Sequence, residues 1–188
     1  GSSAINAMLY IRGQKEDYNA WCALGNQGWS YDDVLPYFKK AENNDFFDDN
    51  FHGQSGPLSV SNLRNENMFS KAFIESGKKL HKFNTDFNGH HQEGVGYYQV
   101  TQKDGKRCSA AKAYLEPIKN RENLTIYTDM HAYRVIIEDG IAKAVELIDK
   151  NHNKITINAN KEIILSAGAF GSPQVLLRSG IGSKYELD

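Results

Sequence analysis

Lys161-Glu-Ile-Ile-Leu-Ser-Ala-Gly168-Ala-Phe-Gly171-Ser-Pro-Gln-Val-Leu-Leu-Arg-Ser-Gly180-Ile-Gly182 is the stretch that decides how this chain reads. Ile163, Ile164 and Leu165 form a short apolar run of the kind buried on both faces of a parallel sheet. Ser166, Ala167 and Gly168 follow at once, so the run predicts a strand entering a tight turn. Ser172 then predicts an N-cap and Pro173 the first helical position. Val175, Leu176 and Leu177 predict the buried side of a helix that stops near Ser179 and Gly180. Strand, small-residue turn and helix start together let a ligand touch bare backbone, and the outward amides suit a phosphate or ribose. The same local pattern also describes a tightly packed turn that holds nothing.

Working upstream, the period is that of strands. Leu124–Tyr127, Tyr133–Glu138, Ala142–Ile148 and the alternating Ile155, Ile157 and Ala159 predict a β-meander, with turns at Asp139-Gly140 and around Asn151–Asn153. Before it, Tyr97–Val100 predicts the start of a strand, Asp104-Gly105 a turn, and Ser109 the cap of a helix to Ile118. Arg107 could serve an anion, but a salt-bridged surface arginine is its default reading.

The first part of the chain is more helical. Lys15–Leu24 predicts an amphipathic helix burying Tyr18, Trp21 and Cys22, and Ser30-Tyr-Asp-Asp33 a capping box opening a helix with Val34, Leu35, Tyr37 and Phe38 inside. Pro36 would tighten or bend it. Asn43–Gly56 predicts a polar loop, Pro57–Val60 a short strand, and Asn67–Lys79 a helix with Met68, Phe69, Phe73, Ile74 and Leu80 near one face. His52, a lone loop histidine beside Gly53 with no partner in view, reads as structural or solvent-exposed. His90 and His91, beside Glu93, project in different directions and make a poor metal site. At the very start, Gly1–Gly13 is a helix-compatible apolar stretch with one polar group, Asn6, which burial would force to meet backbone or a polar ligand edge.

Composition narrows the classes. The 188 residues carry 40% apolar residues and a formal net charge of −1, enough for a core and no case for nucleic acid or an anionic membrane surface. No apolar run reaches the length of a membrane span, and no signal peptide is visible. Cys22 and Cys108 supply neither a disulfide framework nor a metal spacing. The compartment stays open: Asn123-Leu-Thr125 would accept a glycan in a secreted protein, but in so Asn-rich a chain one such triplet is also expected by chance.

Gly1-Ser-Ser-Ala-Ile-Asn6 resembles the first signature of the glucose-methanol-choline (GMC) family of flavoprotein oxidoreductases, Gly-Gly-Ser-Ser-x-Ile-Asn, with one leading glycine fewer. Gly168–Gly182 resembles the second signature at every fixed position. Gly25–Lys40 and Gly105–Pro117 are most similar to insect glucose-dehydrogenase-like members. The resemblance implies an α/β (α+β mixed) fold: part of an FAD-binding Rossmann-like domain with an inserted β-meander, plus part of the substrate-binding domain. It divides the chain into 1–14 (FAD-binding domain), 15–100 (substrate domain or lid) and 101–188 (FAD-binding domain with meander and second signature).

Further expectations come from that resemblance alone. Ser2, Asn6, Ala7 and Leu9 would line the flavin ring or ribityl chain, and Ala132, Ala167 and Gly168 would surround the adenosine. The substrate would be a small alcohol or sugar and the electron acceptor oxygen or quinone. The family's Gly-x-Gly-x-x-Gly pyrophosphate turn is not in this stretch, and none of the six histidines stands in the context of the family's catalytic one. No catalytic residue is therefore carried over, and the chain reads as an internal fragment, expected to be inactive by itself. Two other classes stay open. A nicotinamide-dependent dehydrogenase would need its own glycine fingerprint, and a non-catalytic binding or structural protein could arise from a truncated family member.

Some family members tether the flavin through a histidine at the position held here by Ile5, which has no nucleophilic nitrogen. FAD held by a protein containing this chain is accordingly expected to be non-covalent. Acid or heat denaturation should release all of the flavin into the supernatant, and flavin remaining on the precipitate would place a covalent link elsewhere.

Overall fold

The structure, a computed structural model, describes residues 1–187, and the last position of the 101–188 span lies outside them. It divides into two compact units, residues 1–121 and 122–188.

In the first unit, Ser2–Ala4 form a 3-10 turn, and Ile5 and Asn6 continue as a turn and bend into irregular backbone, so the stretch read as helix-compatible is not a helix. Helix α1 (Lys15–Ala23) follows, closed at its start by a reciprocal capping box between Gln14 and Asp17. Helix α2 (Tyr31–Ala41) opens on the expected box of Ser30 and Asp33, with Lys39 and Lys40 in its last turn opposing the dipole's negative end. Tyr18 and Cys22 are half-buried and Trp21 is exposed, so the buried side expected of α1 is only partly formed. Its rings instead make an edge-on chain, Tyr18 to Trp21 to Trp29.

Strand β1 (Glu42–Asn44) pairs in parallel with β2 (Leu58–Val60), and the loop between them is the polar one read from the sequence. Gly53 in that loop runs so close behind α2 that a Cβ there would overlap the Lys39 carbonyl. Helix α3 (Met68–Gly77) is capped by the Asn67 side chain and buries Ile74, while Met68, Phe69, Phe73 and Leu80 face outward. Instead of a strand, Tyr97–Val100 makes isolated bridges, Val100 pairing with both Leu9 and Ser61. Strands β3 (Gln102–Lys103) and β4 (Lys106–Arg107) form a hairpin about Asp104 and Gly105, whose φ of +50° and +74° are those of a type I′ turn. The helix expected after Ser109 is a π-turn, Ala111–Leu115, running into a 3-10 turn, Glu116–Ile118.

The second unit is the meander: β5 (Met130–Glu138), β6 (Ile141–Asp149) and β7 (Lys154–Asn158), all antiparallel. Asp139 and Gly140, both left-handed, set the β5–β6 register. Leu124–Tyr127, read as a strand, pairs with nothing among the described residues. Helix α4 (Gly168–Arg178) packs on β5 and buries Val175, and a short helix α5 (Lys184–Leu187) ends the described chain.

Two expectations around α4 are corrected. Ile163–Leu165 forms no strand, and Ile164 is 78% exposed, because a parallel strand exists only beside partner strands and the described residues offer none here. The helix also begins at Gly168, one turn before Pro173, which lies inside it. Ser172 does not cap it: its Oγ accepts from the Ala167 amide at 3.1 Å, folding the turn back on the helix. Ser179 at the other end donates to the Val175 carbonyl (2.6 Å) and accepts from the Val135 amide of β5 (2.8 Å).

Ser179 thus couples helix to sheet, and Ser179→Ala would leave the Val135 amide without its partner. A loss of about 1–3 kcal/mol is expected in urea unfolding, against a change within about 0.5 kcal/mol for exposed Lys150→Ala.

Candidate functional site

The expected flavin-side residues share one exposed loop. Ser2, Asn6, Ala7 and Leu9 are all exposed, and from Gly1 to Leu9 no residue is buried. Hydrogen bonds therefore shape this loop. Ile5 and Asn6 donate to the Ser2 carbonyl at 3.0 and 2.8 Å. Asn6 is exposed, contrary to the reading of it as buried, yet its Oδ1 accepts from the Met8 amide at 3.1 Å and from Arg107 Nη1 at 2.7 Å. Met8 has a φ of +64°, a left-handed backbone that costs a non-glycine residue about 1–3 kcal/mol. It persists because its carbonyl accepts from the Thr101 amide (2.8 Å), and the Tyr10 amide donates to Gln99 (2.9 Å) just beyond. Arg107, read as an ion-pair partner at the surface, spends its Nη1 on the Ser3 carbonyl (3.1 Å) and on Asn6.

The expected adenosine-side residues lie in the second unit. Ala132 sits on β5 opposite Leu147, at a break in register where Tyr133 is the extra residue, a bulge that leaves backbone groups out of the ladder. Ala167 and Gly168 form the mouth of α4. No side chain caps this helix, Gly168 has a φ of +84°, and a Cβ built on it meets nothing within 4 Å. The space beside Gly168 where a side chain would stand is open, and the donor set at the helix start is backbone N–H at the positive end of a helix dipole. That chemistry fits the ribose and phosphate oxygens of a dinucleotide.

A second cluster is buried and charged. His52, 2% exposed, places Nδ1 2.9 Å from Glu42 Oε1 and Nε2 3.1 Å from Asp86 Oδ2. Arg12 Nη2 meets Glu42 Oε2 at 2.5 Å, and Asn44 Nδ2 donates to Glu42 Oε1 at 2.8 Å. Of the two readings of His52, structural or solvent-exposed, exposure is overturned by its burial, and it has partners at positions 42 and 86 that no local pattern reveals. Burial alone pulls the His52 pKa down, yet its hydrogen bonds and charge interactions with Asp86 and Glu42 outweigh burial and raise it from 6.5 to about 9. Burial raises the Glu42 and Asp86 carboxyls, but bonds from His52, with Asn44 or the Asn88 amide, bring both below their ordinary values. Asp49, His52 and Asp86 lie close enough to hold a metal ion. An imidazolium with both N–H groups committed to carboxylates has no lone pair for one, so the cluster is an ion network. His90 and His91 stack edge-on at 4.5 Å and belong to no such group among the described residues. Both cysteines are free, and no helix among the described residues is long and apolar enough to cross a membrane.

The family model of GMC oxidoreductase matches residues 1–187. The chain belongs to the GMC oxidoreductase family. It is 48% identical over its whole length to an alcohol dehydrogenase [acceptor] of Pseudomonas putida and 45% to an oxygen-dependent choline dehydrogenase of Rhizobium johnstonii, covering 34% of each. Among solved structures, pyridoxine 4-oxidase from Mesorbium loti superposes with a TM-score of 0.94 at 34% identity, the match covering 100% of this chain and 37% of that one. An FAD-dependent oxidoreductase from Chaetomium thermophilum gives 0.93 at 29% identity, covering 98% and 34%. The chain therefore spans about a third of the length of the relatives it matches. The mixed helix and strand fold expected from the sequence is that of these GMC structures.

In this GMC chain the ion network sets a pH window. His52, raised when folded, contributes stability that is complete below about pH 6.5 and is lost as pH rises through about 9. Glu42 and Asp86, lowered when folded, contribute above their ordinary values of 4.5 and 3.8, and this is lost as pH falls below them. Urea unfolding followed by Trp21 and Trp29 fluorescence, both in the first unit, should be most resistant between about pH 4.5 and 6.5. His52→Gln should cost about 3–5 kcal/mol at pH 6 and remove the decline toward pH 9.

Proposed function

We propose that this chain is part of an FAD-dependent oxidoreductase that takes a hydride from the CH–OH carbon of a small alcohol or sugar, with oxygen or a quinone as final electron acceptor. The observation that carries it is the open mouth of α4 at Gly168, where a left-handed glycine and uncapped amides leave room and donors for a dinucleotide. Family membership and the names of the relatives support the reaction class.

In this reading Ser2, Asn6, Ala7 and Leu9 hold the flavin ring and ribityl chain. Ala132 presents backbone to the adenine edge, and Ala167 and Gly168 admit the ribose. Bound FAD supplies the hydride acceptor. The chain's own part is to bind, orient and exclude: Met8's left-handed backbone sets the course of the loop, and the α4 amides favour negative charge. Residues 1–14 and 101–188 act as parts of the FAD-binding domain and 15–100 as substrate-domain material. No proton transfer falls to His52, because both ring nitrogens are bound to carboxylates in a dry interior. The outward apolar residues Met68, Phe69, Phe73 and Ile164 are faces for further protein of a longer chain to cover.

Gly168→Val in the full protein is the direct test. A Cβ there meets no protein atom, and the left-handed backbone strains the valine in the flavin-free protein by about 1–3 kcal/mol. Flavin content, read from the absorbance of the purified protein, should fall sharply while unfolding stays cooperative, and Ala167→Gly, which removes a methyl, should keep its flavin. Full flavin occupancy in Gly168→Val would make the turn a packing device.

A further inference from the structure

We propose that Arg107 is the positioning residue of the Ser2–Leu9 loop, holding it in the shape that receives the flavin; the receiving part rests on the cofactor reading above. The loop contains no buried residue, so no core packing defines it. What defines it is a set of bonds from the β3–β4 hairpin and the residues flanking it, about a hundred residues away in the chain. Arg107 Nη1 donates to the Ser3 carbonyl and to Asn6 Oδ1 at 3.1 and 2.7 Å. The Ala110 amide donates to Ser3 Oγ at 3.0 Å. At the other arm, the Thr101 amide donates to the Met8 carbonyl at 2.8 Å.

The hairpin is a firm base for this. The Cys108 amide closes it on the Thr101 carbonyl at 3.0 Å, Ser59 Oγ ties it to β2 through the Gln102 carbonyl at 3.0 Å, and Gln102, Cys108 and Ser109 are buried. The Arg107 contact also has a consequence inside the loop. Asn6 Oδ1 accepts from both Arg107 and the Met8 amide, so the guanidinium fixes the side chain that steadies the left-handed Met8. Removing it frees Asn6 and leaves Met8 held from the Thr101 side alone, and the loop then has to be ordered by the cofactor at the expense of affinity.

The experiment uses the protein as encoded in full, with Arg107→Ala and Arg107→Lys, two readouts and urea unfolding as the fold check. Hydrogen exchange of the flavin-free protein should show the Ala4–Met8 amides exchanging about tenfold faster in Arg107→Ala, with the β5–β7 amides unchanged. Titration of flavin-free protein with FAD should give a dissociation constant raised about tenfold in Arg107→Ala and less in Arg107→Lys, whose ammonium still donates. Faster exchange with unchanged affinity would overturn the role in flavin reception, and weaker affinity with unchanged exchange would make Arg107 a direct contact and overturn positioning. Should Arg107→Ala not fold, Arg107→Lys decides: wild-type values in both readouts overturn the proposal, and intermediate values in both support it. Wild-type protein that takes up no FAD overturns the cofactor reading and the receiving role with it, while the exchange rates still decide whether Arg107 holds the loop.

Discussion

The first unit depends on one buried ion network, in which Arg12 and the His52 imidazolium are balanced by Glu42 and Asp86. Two cations against two anions leave no net charge inside, and the Asn44 side chain, the Gly53 and Asn88 amides and the Phe51 carbonyl satisfy much of the remaining hydrogen-bonding capacity. The four ions come from four separate segments, so the network pins the chain's beginning, the end of α2, the loop before β2 and the turn-rich stretch near Asn88 to one point. Few large apolar side chains are buried in this unit, Tyr31, Val60, Ile74, Phe87 and Val100 being the main ones. Ion pairing does here some of what a larger apolar core would do, and loss of one partner strands the others in a dry site.

The network also reaches the signature loop. The Arg12 amide donates to Asn88 Oδ1 at 2.7 Å, Asn88 donates to the Tyr10 carbonyl at 3.0 Å, and Gln99 takes the Tyr10 amide. The segment leaving the loop is thus held on both edges before Arg12 enters the interior. Ahead of it the loop has no buried residue and is shaped by hydrogen bonds. A rigid, charged interior carrying an exposed backbone loop is an arrangement suited to binding, since the loop can meet a ligand without unpacking a core.

The two family signatures work mainly through backbone. In the second, Ser172 and Ser179 close hydrogen bonds at either end of α4, and Gly168 supplies the left-handed entry. In the first, the side chain of Asn6 organises Met8. None of these residues is a reactive group. Their identities are those that let a chain bend sharply, keep its amides pointed outward and still satisfy its own polar atoms.

Local chemistry was legible from the sequence by itself: the Ser30 capping box, the Asn67 helix start, the left-handed turns at Asp104-Gly105 and Asp139-Gly140, the meander and the two signatures with the family they imply. Each is decided within a few residues, by side chains that bond their own backbone or by glycines that free it. Tertiary structure alone decided the rest. His52 acquired its charge from carboxylates ten and thirty-four positions away, Arg107 reached back about a hundred residues to Asn6, and Met8 kept a left-handed backbone because Thr101 holds its carbonyl. Ile163–Leu165 shows the limit from the other side: its pattern is that of a buried strand, but strand and burial both come from neighbours, and the described chain sets none beside it.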